Sequence, residues 1–316
     1  MVDDTQLARS KSIHRRTGKT FYYATKLLPK RVRNATYVLY AFFRVADEVV
    51  DDPGGLSKEA QRAELATIRD AALGGETDDE ILAAFSELRE QYGIPDSEVE
   101  QFIDAMIADT ERSRYRSYEE LEAYMRGSAA AVGVMMTHVM ETDAVDSALP
   151  HARQLGKAFQ LTNFLRDVRE DLLERDRIYI PEETLEANGA TVAAVERLEP
   201  TTGVRSAIRH ELHRGERLYR EGVAGIKYLP QDCQLPVLTA AVLYAEHHRL
   251  IRERGYDTLT DRPSLSSLRK LSLVLRTRWH WLWTKDPDAV FATVSGVPSP
   301  VDGRIDYPPN EPSPIR

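Results

Sequence analysis

The chain has 316 residues, with 42 Lys and Arg against 50 Asp and Glu and a formal net charge of −8. At 42% hydrophobic and 29% charged it carries enough apolar material for a sizeable core, which excludes a disordered chain. The acidic balance argues against gripping nucleic acid through its phosphates, so no nucleic-acid partner is expected.

Apolar residues recur at i, i+3, i+4 spacing along most of the chain, with no alternating strand pattern and no βαβ rhythm. The spacing predicts helices over 31–52, 57–73, 78–92, 96–111, 117–140, 148–173, 190–196, 203–227, 233–254 and 264–283. Breaks are expected at Pro29, Pro53-Gly54-Gly55, Pro95, Pro150, Pro181, Pro230 and Pro263. The last 30 residues hold seven of the 16 prolines and little periodicity. One all-α domain over 1–285 is therefore expected, followed by an extended or disordered tail over 286–316. The single cysteine, Cys233, excludes an intramolecular disulfide and fits a reducing compartment. The polar residues from Met1 to Gln6 lack the apolar core of a secretory signal, and no apolar run approaches the roughly 20 residues of a spanning helix. A cytoplasmic protein is expected, soluble or peripheral on the inner face of the membrane.

Two segments place acid on helices that are otherwise apolar. At about 100° per residue, Tyr40, Arg44, Asp47 and Asp51 share one stripe, while Val38, Leu39, Phe42, Phe43, Ala46 and Val49 fill the rest of the circumference. Gln160, Asn163, Asp167 and Asp171 form a second stripe on a helix carrying Leu155, Phe159, Leu161, Phe164 and Leu165. A carboxylate buried on such a helix costs several kcal/mol unless a cation meets it. One i,i+4 acidic pair is ordinarily a solvated face; two on apolar helices point inward to a shared task. Oxygen ligands without cysteine or suitably spaced histidine suit Mg²⁺ or Mn²⁺. Facing Asp pairs leave coordination positions open for a diphosphate, with Lys19, Arg44 and Arg166 as complementary charge.

These motifs resemble the head-to-head prenyl synthases, the squalene/phytoene synthase family. The matching stretches are the segment from Thr17 to Pro29, the segment from Tyr40 to Asp51, and Gln160 to Asp171 followed by Asp176-Arg177-Ile178-Tyr179-Ile180-Pro181. The resemblance covers roughly residues 11–275 and implies an isoprenoid-synthase-type helical bundle around a central cavity. It implies that Asp47, Asp51, Asn163, Asp167 and Asp171 hold Mg²⁺ or Mn²⁺. It also implies that Thr17, Gly18, Lys19, Thr20, Tyr40, Arg44, Gln160, Arg166 and Tyr244 touch the prenyl diphosphates. Tyr124 matches a tyrosine assigned to proton or carbocation handling, and Asp109 a further family position. Arg126 stands where the family commonly has an aromatic, and the segment Cys233 to Pro236 lacks a frequent arginine.

The implied reaction is a Mg²⁺-dependent condensation of two geranylgeranyl diphosphates through a cyclopropyl diphosphate to phytoene. The alternatives are squalene or dehydrosqualene synthesis from two farnesyl diphosphates, and a non-catalytic helical relative serving in assembly or membrane docking. No Gly-rich dinucleotide loop is visible, so NADPH is not expected.

Three other features have two readings each. The small-residue run from Gly127 to Gly133 leaves room for a long chain, or lets helices approach closely. Trp279, Trp281 and Trp283, interleaved with basic residues, form an interfacial membrane anchor or a packed final helix. The run Arg112 to Arg116 is a basic rim or a solvated helix end.

Overall fold

The computed structural model describes residues 25–51 and 54–298, together with Ser10. Its elements are α1 (Lys30–Asp51), α2 (Lys58–Ala72), α3 (Glu80–Tyr92), α4 (Asp96–Asp109) and α5 (Tyr118–Met125), then a π-helical turn (Arg126–Ala130) leading into α6 (Ala131–Met140). There follow α7 (Val145–Arg166), α8 (Val168–Arg175), α9 (Glu182–Ala187), α10 (Val192–Glu196) and α11 (Thr202–Val223). A 3₁₀ turn (Ile226–Tyr228), α12 (Gln231–Glu253), α13 (Ser267–Thr284) and α14 (Pro287–Val294) complete the chain. No strand occurs among the described residues.

The helix starts follow local chemistry. Ser57, Asp79, Ser117, Thr201 and Ser266 each accept a hydrogen bond from a backbone N–H in the first turn of the helix they precede, satisfying groups the helix cannot. Helix α3 stops at Gly93, whose φ of 60° suits a residue without Cβ.

Helix α7 runs through the middle of the molecule, packed against α6, α11 and α12. Helix α1 packs on α2, α3, α4 and α6, and its Phe42 ring stacks on Phe85 at 3.8 Å. Helices α6 and α7 approach backbone to backbone: a Cβ on Gly133 would lie 2.4 Å from the Ala152 carbonyl oxygen.

The structure departs from the expected elements chiefly in three places, and it adds α9, which the spacing does not predict. The helix expected over 117–140 is interrupted by the π turn, where an extra backbone residue re-aims the side chains that follow. The helix expected over 148–173 begins at Val145, carries Pro150 inside it and breaks at Asp167, whose φ and ψ of −104° and 14° leave the helical region. The expectation of an extended tail from 286 fails for Pro287–Val294. Asp286 accepts from Asp288 N and Ala289 N, Pro287 sits in the first turn, and Pro287, Val290, Phe291 and Val294 are buried.

Candidate active site

The helices enclose a cavity of about 760 Å³ that is polar at one end and apolar at the other. From α1 it receives Tyr40, Phe43, Asp47 and Asp51; from α7, Phe159, Gln160, Asn163, Phe164 and Arg166. Asp167 enters from the kink between α7 and α8, and Asp171 from α8. Tyr124 and Tyr244 line it as well. Both acidic stripes therefore face one space, with the aromatic rings between them. Arg44 is the exception: it lies outside the lining and pairs with Asp47 at 3.3 Å and Glu48 at 3.7 Å. Thr17, Gly18, Lys19 and Thr20 lie outside the described residues.

Four arginines meet the acids at the polar end. Arg166 donates from Nε to Asp167 Oδ1 at 2.6 Å, and Arg262 reaches the same oxygen at 2.7 Å while its Nη1 holds Glu170 at 2.7 Å. Arg175 and Arg177 both approach Asp51 Oδ1 at 3.3 Å. The site roles of Arg175, Arg177 and Arg262 are not among the sequence expectations. In a chain this rich in arginine only tertiary placement marks them, although Arg177 belongs to the matching Asp176–Pro181 run. Among the described residues, no three acidic, histidine or cysteine side chains converge to close a metal site by themselves.

The carboxylates are crowded. Burial pushes Asp47 up to about 7, with Arg44 and Arg177 pulling it down and Asp51 and Asp109 pushing it further. Burial, then the neighbouring Asp167, likewise raise Asp171 to about 7 against the pull of Arg175. An added cation at this end would relieve both.

Behind the acids sits a buried network. Tyr124 Oη donates to Asp109 Oδ2 at 2.9 Å, and Arg177 lies 3.3 Å from the same oxygen. The other Asp109 oxygen, Oδ1, is buried without a hydrogen-bond partner. Burial lifts Asp109 to about 6 despite Arg177 and Tyr124. The Tyr124 ring stacks near Phe164 and Tyr179, at 6.2 and 6.0 Å.

The apolar end is walled by Met106, Val132, Gly133, Met136, Leu155 and Ile226, among others. Both readings of the small-residue run hold at once. Gly133 sits against the α7 backbone and also borders the cavity, which Ser128, Ala129 and Val132 line beside it. The Arg112–Arg116 run serves neither expected role at Arg114, which ties Asp176 at 2.7 Å and Glu196 at 3.1 Å and so anchors the segment bearing Arg177.

The squalene/phytoene synthase family model matches residues 14–269. The chain is 31% identical over 277 residues to a phytoene synthase of Rhodobacter capsulatus, an alignment covering 87% of this chain and 81% of that one. It is 30% identical over 274 residues to a 15-cis-phytoene synthase of Synechocystis, covering 83% and 81%. Of a chloroplastic phytoene synthase from Zea mays, 32% identical, it spans 63% of the length. A solved dehydrosqualene synthase in complex with ligand superposes with a TM-score of 0.79 at 25% identity, over 88% of this chain and 97% of the other. With the family model matched across most of its length and the motifs converging on one cavity, the chain belongs to the squalene/phytoene synthase family.

Proposed function

We propose that the protein is a prenyltransferase that joins two molecules of geranylgeranyl diphosphate head to head, through a cyclopropyl diphosphate, to give phytoene. The observation that carries the reading is the single two-ended cavity, with two aspartate pairs and four arginines at one end and an apolar chamber at the other. The phytoene synthase relatives favour the C20 substrate over the C15 one.

The acidic end fits a divalent cation, Mg²⁺ or Mn²⁺: its donors are oxygens, and burial, with neighbouring acids adding to it, pushes two of its carboxylates to about 7. Asp47, Asp51, Asn163, Asp167 and Asp171 are the residues that would hold it, with substrate phosphates completing the shell. When bound, the cation supplies charge neutralisation to the departing diphosphate. Arg166, Arg175, Arg177 and Arg262 bind diphosphate oxygens, orienting C1 of each prenyl chain toward the aromatic middle of the cavity.

Cleavage of the first C1–O bond releases diphosphate and leaves an allylic cation. The C2–C3 double bond of the second molecule attacks it, leaving a cation at C3 of that molecule, and loss of a proton from C1 of the first molecule closes the cyclopropane. Cleavage of the second C1–O bond, rearrangement to a C1–C1′ bond and loss of a further proton give the C40 hydrocarbon. Two diphosphates leave and no hydride is consumed, so the reaction draws on no NADPH. Phe43, Phe164 and Tyr179 line the cavity and supply aromatic surroundings for the cations, and the apolar walls exclude the water that would quench them. Tyr124 Oη is placed to accept a proton while passing its own to Asp109 Oδ2. A product of this kind leaves into lipid, which supports a position on the inner face of the cytoplasmic membrane.

Incubating the protein with Mg²⁺ and either C15 or C20 diphosphate, with and without NADPH, and extracting the hydrocarbons tests the reading. A C40 product from the C20 substrate without NADPH is expected. A C30 product from the C15 substrate alone would move the assignment to squalene or dehydrosqualene synthesis. No hydrocarbon from either, in folded protein, would favour a non-catalytic role.

A further inference from the structure

Helix α13 has three faces. Leu273, Thr277 and Trp281 are buried against the body of the protein. Opposite them, Leu268, Leu271, Leu275, Trp279, Leu282 and Trp283 are between 56% and 82% exposed. They make up six of the nine large hydrophobic residues exposed among the described residues, and at 100° per residue they fall within an arc of about 120°. Exposed Arg276 and Arg278 flank this stripe on either side, and exposed Lys285 ends it. From Ser267 to Lys285 the chain carries five basic residues and no acidic one, within a protein of net charge −8.

We propose that this face of α13 is a docking surface for an anionic lipid bilayer, the stripe entering the interface while Arg276, Arg278 and Lys285 meet headgroup phosphates. The combination of an apolar arc with two tryptophans, basic flanks and no acid is that of an interfacial helix. Charge decides among occupants. A second copy paired through the same face by two-fold symmetry would set basic flank against basic flank. The chain's own residues 299–316 carry five prolines and only Val301, Ile305, Tyr307 and Ile315 as large apolar groups, with no helical spacing to match the stripe. The face lies one helix from the cavity, since α13 packs on α12 and α12 supplies the cavity residues Val237, Ala240 and Tyr244. The proposal shares with the functional reading only the lipid destination of the product, and its test needs no turnover.

Sedimentation of the full chain with vesicles of phosphatidylcholine alone, or mixed with phosphatidylglycerol, tests it. The wild-type protein is expected to pellet with the anionic vesicles. Leu275→Ser/Trp279→Ser/Leu282→Ser is expected to lower the bound fraction about ten-fold or more, and Arg276→Gln/Arg278→Gln to abolish the preference for anionic lipid. Thermal unfolding of both variants should match wild type, because the altered side chains lie on the exposed faces. Wild-type protein left in the supernatant with both vesicles, or a triple variant that pellets as well as wild type, would overturn the proposal. So would a dimer that the triple variant splits, which would give the face to a second copy. Binding that appears only after removal of residues 299–316 would give it to that segment. Product formation from C20 diphosphate in detergent, read separately, reports on the functional reading alone.

Discussion

At the residue scale, Tyr124 and Asp109 carry the chemistry that is hardest to replace. The phenol is buried, lines the cavity and gives its hydrogen bond to a carboxylate that Arg177 also holds. Tyr124→Phe keeps the ring stacking and removes only that bond. Turnover should fall by about 10²- to 10⁴-fold with KM little changed; a wild-type kcat would return Tyr124 to packing alone. Asp47→Asn and Asp167→Asn should each abolish turnover, and Asp47→Asn should leave the thermal midpoint at or above that of wild type, since it removes a buried carboxylate from a crowded acidic wall; activity in both variants would contradict the cation assignment. The same crowding sets a pH dependence. Asp47 and Asp171 hold their protons to about 7 in the fold, against an ordinary 3.8. The folded chain therefore binds more protons than the unfolded one between those values, so their contribution to stability falls as pH rises through that window and levels off above it. Stabilisation by added Mg²⁺ should accordingly grow from about pH 5.5 to about pH 8, and an equal thermal shift at both would contradict it. The aspartates are legible in the sequence because two i,i+4 acidic pairs on apolar helices would be too costly to bury without a cation to meet them. Arg177 and Arg262 are not, because their neighbours Asp51 and Asp167 are distant in sequence and an arginine's partner is not encoded in the segment that carries it.

At the element scale, the departures from expectation centre on residues whose local signal does not decide between ending a helix and opening one. Pro287 reads as the end of regular structure, yet behind the Asp286 cap it opens α14, whose Phe291 stacks on Tyr219 at 5.8 Å. Ending the chain at Lys285 should therefore cost about 3–5 kcal/mol or more, as for the loss of a buried aromatic, read as a lower denaturant midpoint; unchanged stability would show that α14 is dispensable. Asp167 is the other instance. The acidic stripe is plain in the sequence, but the break in the helix that carries it has no local signature, and it is this kink that turns Asp167 toward both Arg166 and Arg262. The small-residue run is a real signal with two meanings, and only tertiary placement shows that Gly133 serves helix contact and borders the cavity at once. Gly133→Ala should destabilise the fold by about 1–3 kcal/mol, because the new methyl meets a carbonyl at 2.4 Å in close-packed surroundings. Unchanged denaturant unfolding would show that α6 and α7 can separate at little cost.

At the scale of the whole molecule, the helical periodicity alone predicts an all-α bundle, and the observed helices follow it closely because apolar stripes at 3.6-residue spacing leave few other ways to bury them. What periodicity does not encode is which faces meet a cavity and which meet each other. The two aspartate stripes supply that information by being too polar for the core. Among the described residues no helix is long and apolar enough to cross a membrane. Joining two C20 chains at their C1 carbons within one cavity is the step on which the proposed function rests. It is tested most directly by turning over geranylgeranyl diphosphate labelled with ¹³C at C1 and recording the ¹³C spectrum of the extracted hydrocarbon. A C40 product whose two labelled carbons show one-bond coupling to each other is expected. Uncoupled labels, from a head-to-tail product or a C20 alcohol, would contradict it.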